Sequence, residues 1–491
     1  MTLSIGLNTA LSGLSVTADQ TSVVSRNVAR AGDPSASRKI ANLVTLPGGG
    51  VKLESITRAS NAALYEKLLG ATADAGTQKV IVDALDQLDQ TVNDPELDAS
   101  PAALVGKLAD AIQAYAAAPQ DATAARSAIA AAGDLAQALN GATRTVQQLR
   151  GQADADIAGA VDHVNTLLAQ FETLNNEIVK GTRQGADVTD YLDQRDQVLT
   201  SIAEQIGVRT VARADNDMAV YTDSGVTLFD VKARTVSFDR TLLFTPTTAG
   251  KAVYVDGVPI TGSAGPMLVG SGRLTGLATV RDTIATTYQS QLDEIARGLI
   301  GAFAESDQSP SPTLPDAPGV FTYSGAPTMP PAGSLLVGLA GSIAVNANVD
   351  PAQGGDPTRL RDGGISNPGN PAYVYNASGA AGYTQRLEQF LDKLNTQQAF
   401  DPTAQVAPSA TVAGFASSSV AWLQQARQSA SADADYKTAL QQHASEALSK
   451  DTGVNLDEEM TRLLELQRSY QASTKLVTTI DSMLGSLLQA V

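Results

Sequence analysis

The chain of 491 residues contains no cysteine. That excludes disulfide bonds, thiolate metal sites and a cysteine nucleophile. There is a single tryptophan, and aromatics make up only 4% of the sequence, which argues against large ring-lined apolar pockets. Only two histidines occur, His163 and His443. Neither has a partner at ligand spacing, so both read as ordinary helix residues rather than metal ligands. Basic residues are outnumbered, 34 Lys and Arg against 51 Asp and Glu, for a formal net charge of −17. Such an acidic chain is unsuited to nucleic-acid binding. Long apolar runs are missing too. The longest uncharged N-terminal stretch ends at Ala18 and is interrupted by Thr2, Ser4, Asn8, Thr9, Ser12, Ser15 and Thr17. No membrane insertion is expected from it.

What the chain has in quantity is helical periodicity at its two ends. Leu456, Leu463, Tyr470, Val477, Leu484 and Val491 recur at seven-residue spacing, with Met460, Leu466, Ile480 and Leu487 in the flanking stripe. Such spacing describes a helix that keeps one seam toward a partner. Near the other end, Leu7, Leu11, Leu14, Ala18, Thr21, Ser25 and Val28 alternate steps of four and three. Two heptad arms at opposite ends of one chain are expected to meet as an antiparallel coiled coil. A purely intramolecular bundle is the bland reading of the same stripes; burial against other copies is the sharper one. Residues 1–60 hold six basic and three acidic side chains, and residues 451–491 hold three basic and six acidic. These opposite charges favour arm-to-arm pairing.

Between the arms the texture changes several times. Ile40 to Leu46 and Val51 to Ile56 flank Pro47-Gly48-Gly49-Gly50, which reads as a hairpin turn. It is no phosphate loop, because no Gly-Lys-Ser/Thr follows. Residues 61–207, 272–305 and 376–450 have helical spacing and form the expected body, with breaks at Asp94-Pro95 and Pro119-Gln120. Residues 208–271 are short β-rich runs separated by Asp-Asn and Ser-Gly signals, an inserted β domain. Because it begins and ends beside the helical body, it reads as separable. Residues 306–375 form a Pro/Gly-rich stretch with short strands. The expected fold class is mainly α with inserted β: paired N- and C-terminal coiled-coil arms, an elongated helical body and a β-sandwich-like insertion.

Candidate chemistry is thin. Asp193 and Asp196 lie three apart on a helix and suggest paired carboxylates, but no pocket chemistry accompanies them; a solvated or intersubunit face suffices. Gly270-Ser271-Gly272 with Gly276 misses a dinucleotide fingerprint by one residue and has no βαβ unit around it. The acidic stretch from Asp350 to Asp362 lacks a calcium-loop register. There is no Gly-x-Ser-x-Gly elbow. The expectation is a non-enzymatic chain with no catalytic, metal or cofactor residues. Its working surface is the arm seam of Leu7, Leu11, Leu14, Ala18, Val28, Leu456, Met460, Leu463, Tyr470, Val477, Leu484 and Val491.

Four stretches carry a resemblance. The N-terminal helix, with Asn8 to Leu14 and the Asn27-Val28-Ala29 step, is similar to that of flagellar rod, hook and hook-associated proteins. Tyr191 to Val208, then Gly270 to Leu299, resemble stretches of the flagellar hook-associated protein 1 family. Gly453 to Leu476 resembles its C-terminal arm and fits hook proteins as well. One departure stands out. After the first helix the family carries Asn-Thr-Pro-Gly-Tyr-x-Arg, whereas this chain reads Gly32-Asp33-Pro34-Ser35-Ala36-Ser37-Arg38. The resemblance implies a structural ring of copies at the junction of hook and filament, in the extracellular flagellum. It implies three partners: the hook protein, the second hook-associated protein and an export chaperone on the C-terminal arm. The N-terminus lacks the basic region and compact apolar core of a cleaved secretory signal, and the resemblance implies type III export instead. Another axial protein of the flagellum, such as the hook subunit or second hook-associated protein, is the alternative within the class. A secreted adhesin using the β region is the alternative outside it.

Overall fold

A computed structural model describes residues 2–47, 49–92, 100–262 and 265–489. The chain opens with helix α1 (Thr2–Ala29) and a hairpin of β1 (Lys39–Thr45) and β2 (Val51–Arg58), paired antiparallel with one irregularity at Asn42/Leu43. Four helices follow: α2 (Ala62–Val92), α3 (Pro101–Ala117), α4 (Ala122–Arg183) and α5 (Thr189–Gln205). Their starts are written locally. Ser100 accepts from the backbone N–H of Ala103 with Pro101 at the first helical position, and Asp121 accepts from Thr123. The expected break at Pro119-Gln120 separates α3 from α4; the one at Asp94-Pro95 lies outside the described residues. With 62 residues, α4 is a spine of about 90 Å at helical rise. Ile157, Val161, Val164, Leu168, Phe171 and Ile178 recur at helical spacing along its buried face.

The β-rich segment forms two three-stranded antiparallel sheets. One joins β3 (Val208–Ala212), β4 (Met218–Thr222) and β5 (Thr227–Phe229); the other joins β6 (Val236–Phe238), β7 (Val253–Val255) and β8 (Val258–Pro259). Each turns an apolar side toward helices, where the sequence suggested a sandwich. Phe229 meets Phe171 of α4 edge-on at 4.9 Å between centroids. The Asn165 side chain on α4 donates to Val236 O at 2.8 Å and accepts from Val236 N at 3.0 Å, completing a strand edge. Strands this short have too little face to bury one sheet on the other, so they use the long helix as their second layer. The segment does enter and leave side by side, with Gly207 N donating to Ser271 O at 2.9 Å.

Helix α6 (Arg273–Thr279) runs through a π turn (Val280–Ile284) into α7 (Ala285–Ala302), which is buried on nearly every side. Its polar groups are satisfied internally. Gln291 donates to Ala404 O, Glu294 pairs with Arg297, and Asp293 accepts from the backbone of Gly338 and Ala340 and from Gln289. Burial pushes the Asp293 carboxyl up to about 6. The remaining stretch is mostly irregular, with β9 (Phe321–Thr322) pairing β10 (Ala344–Val345), short α8 (Arg359–Asp362), α9 (Gln385–Asn395), and β11 (Gln398–Ala399) pairing β12 (Ser409–Ala410). The short strands expected within residues 306–375 reduce to β9 and β10; turns and single helical turns take up most of the rest. Finally α10 (Val412–Thr452) packs along α2, and α11 (Leu456–Gln489) returns to α1.

Candidate assembly site

The two terminal helices lie side by side. A side chain added at Gly6 would meet Ile480, and one at Gly13 would meet Ser473. Position rises on one helix as it falls on the other, so the pair is antiparallel, as the heptads implied. The α1 face that is buried, however, is rotated by about one residue from the expected seam. Ala10, Val16, Thr17, Val23, Val24 and Asn27 are buried; Leu7, Leu14 and Val28 are half-buried; Leu11 and Ala18 are exposed. The reason is a second partner. The hairpin packs on α1 as well, with Ser12 Oγ accepting from Val51 N, and the Asn27 side chain bonding both backbone groups of Lys39. The buried sector centres between hairpin and α11, which periodicity within one helix does not reveal.

On α11 the agreement is partial. Leu463, Val477 and Leu484 are half-buried toward α1, together with Ile480, and Leu466 is buried. Leu456, Met460 and Tyr470 are exposed, at 49%, 43% and 45%, and Val491 lies outside the described residues. The arms are therefore zipped along one face while an apolar flank stays open to solvent.

The neck between arms and body is an ion-pair ladder. Asp187, just before α5, and Asp190, Asp193 and Asp196 on its first turns stand three apart, and cations from α1 and the hairpin meet them. Arg26 reaches Asp187 at 2.9 Å and Arg30 reaches Asp190 at 3.0 Å. Lys39 and Arg58 both bind Asp193, the arginine at 2.9 Å, and Arg58 also binds Asp196 at 2.7 Å. Ser37 Oγ donates to Asp193 at 2.6 Å, and Lys39 Nζ donates to Thr189 O at 3.0 Å. Burial pushes the Asp196 carboxyl up, against the opposing pull of Arg58. Burial also acts to raise Asp187, but hydrogen bonds from Thr189 and Arg26 outweigh it and hold that carboxyl down. The expectation of a solvated or intersubunit face for Asp193 and Asp196 is thus corrected, for Asp193 is 1% exposed and fully engaged within the chain. Three-residue spacing of acids was visible in the sequence; their cations, some 130 to 160 positions away, were not.

Beside the ladder lies a half-open cavity of about 600 Å³, walled by Pro34, Ala36, Tyr65, Asp196, Met218 and Leu448 among others. Counting back from Arg38, Ala36 stands where the family motif has tyrosine. It is buried and lines this space, so the small side chain leaves room that a ring would occupy. Neither histidine takes part in a site; both lie on exposed helix faces. Among the described residues no three His, Asp or Glu side chains are grouped to hold a metal, and no helix is long and apolar enough to cross a membrane.

The chain pairs its terminal helices and lays small sheets along a long helical spine. Over most of its length this arrangement is similar in fold to a solved flagellar hook junction protein. The solved structure of the flagellar hook junction protein FlgK from Burkholderia pseudomallei superposes with a TM-score of 0.58 at 14% identity, covering 78% of this chain and 99% of that one. In sequence, residues 85–309 match the family model of the flagellar hook-associated protein FlgK helical domain, and residues 448–490 match that of the flagellar basal body rod FlgEFG protein C-terminal region. Flagellar hook-associated protein 1 of Escherichia coli is 22% identical over 315 residues, covering 60% of this chain and 56% of its own length. The Salmonella typhimurium protein of the same name is 24% identical, covering 60% of this chain and 55% of its own. The chain thus spans little more than half the length of these curated relatives. Its likeness to the flagellar hook-associated protein 1 family holds in sequence and in fold.

Proposed function

We propose that this chain is a structural, self-assembling component of the bacterial flagellum, placed at the junction of hook and filament. The observation that carries this reading is the arm pair. The two terminal helices form one antiparallel pair whose apolar flank, Leu11 on α1 and Leu456, Met460 and Tyr470 on α11, stays exposed among the described residues. Large apolar side chains gathered on a long exposed helix are costly to leave wet and suit burial against further copies. Around that pair the reading divides the chain into terminal arms that line a tube, a helical body around them, and a β insertion facing outward.

The partners follow from the family likeness: other copies in a ring, the hook protein on one side, and the second hook-associated protein on the other. An export chaperone masks the C-terminal arm before assembly, an amphipathic helix being suited to a groove. The chain works outside the cell as part of the flagellum, after type III export, and its role is mechanical rather than enzymatic. Among the described residues no group of His, Asp or Glu side chains is placed to hold a metal. The test is electron microscopy of a deletion strain of the source bacterium. Hooks without filaments, rescued by the native gene, are expected. Normal filaments would overturn the reading, and loss of surface attachment with filaments intact would favour the adhesin.

A further inference from the structure

The ladder at the neck is graded in burial. Its inner rungs are enclosed: Lys39 and Asp193 are 3% and 1% exposed, and Arg58 and Asp196 are 16% and 21% exposed. Its outer rungs are more open to solvent. Asp190 is 54% exposed against Arg30 at 33%, and Arg26 is 39% exposed against Asp187 at 27%. The inner rungs are also tied by backbone. Arg38 N donates to Thr452 O at 2.8 Å, joining the root of the hairpin to the end of α10. The cavity borders Arg58, Asp193 and Asp196, so the neck loop has open space beside it rather than close packing.

Exposed and enclosed ion pairs respond differently to their surroundings. A solvent-facing pair contributes little and is screened by salt. An enclosed pair with its hydrogen bonds filled is screened far less, and removing one partner strands the other charge.

We propose that the neck is a two-part joint: Lys39–Asp193 and Arg58–Asp193/Asp196 form a fixed pivot, and Arg26–Asp187 and Arg30–Asp190 form a releasable latch that sets the angle between arms and body. Arg30 also approaches Asp193 at 3.6 Å and Lys39 approaches Asp190 at 3.5 Å, so latch and pivot are adjacent rungs of one ladder. With the latch closed, the arms hold one direction. With it open, they swing about the pivot without leaving the body. The joint is a property of the single chain and stands or falls independently of the flagellar reading.

The native chain has no cysteine, so two introduced labels report without background. Spin labels at Ser15→Cys on the exposed face of α1 and Gln170→Cys on the exposed face of α4 measure the angle as a distance distribution. At about 10 mM salt, where the screening length is about 30 Å, the native ladder should give one narrow distribution. About 1 M salt, or Asp187→Asn with Asp190→Asn at low salt, should broaden it while the body's melting temperature stays unchanged. Asp187→Asn keeps the oxygen that caps Thr189, so α5 retains its start. Lys39→Met should loosen the arm at every salt concentration. A distribution that stays narrow in the double variant and at high salt overturns the latch. One that is already broad in the native chain at low salt, or unaltered in Lys39→Met, overturns the joint altogether.

Discussion

Two buried carboxylates show how one residue type is used in opposite ways. Asp193 is compensated by charge. Replacing it with Asn leaves Lys39 and Arg58 enclosed without a full counter-charge, which costs on the order of 3–5 kcal/mol. The expected outcome is loss of arm docking, read as faster proteolysis at the α1–hairpin root with the helical body intact. Asp293 is compensated only by dipoles, and burial raises it from 3.8 to about 6. Between those values the folded state binds a proton that the unfolded state has released. Its contribution to stability therefore falls as pH rises from about 4 to about 6, by roughly 3 kcal/mol in all. Denaturation profiles of the native chain and of Asp293→Asn should differ by that downward slope. A flat or rising difference would show that the carboxyl titrates normally.

Among elements, the arm helices and the spine carry the sharpest contrasts. Leu466 is buried in the arm pair while Met460, six positions earlier, is exposed. Leu466→Asp places a charge in the zipped face and costs several kcal/mol, so α1 and α11 should become protease-sensitive together. Met460→Asp should leave that protection unchanged and impair only attachment of filaments. If Met460→Asp strains keep normal motility, the open flank is not an assembly surface. On α4, Asn165→Ala removes two bonds to the backbone of Val236 and leaves both groups unsatisfied. The expected loss is about 1–3 kcal/mol, measured by chemical denaturation. Sequence periodicity located α4 and both arms, but neither the Asn165 bridge nor the rotated face of α1. An asparagine in a helix looks the same whether it faces water or a strand edge, and a heptad stripe does not say that two partners compete for it.

Across the whole molecule, the β insertion is less separable than its side-by-side entry and exit implied. Phe229, Val236, Val253 and Ile260 belong to the same apolar core as α4 and α7. Replacing residues 209–261 with a short Gly/Ser linker should therefore expose α4, lower the melting temperature of the body and increase binding of an apolar dye. An unchanged melting temperature would restore the separable domain. By itself the sequence determined the helical class, the hairpin, the β insertion between helices and the antiparallel return of one end to the other. These rest on periodicity, turn residues and caps, which are local and repeat within a few residues. Only the tertiary structure decided which face of α1 is covered, that Asp187 and three aspartates of α5 bind the arm, and that the sheets rest on the spine instead of on each other. Those outcomes depend on partners far away in the chain, and no local spacing encodes the neighbour that long-range packing brings.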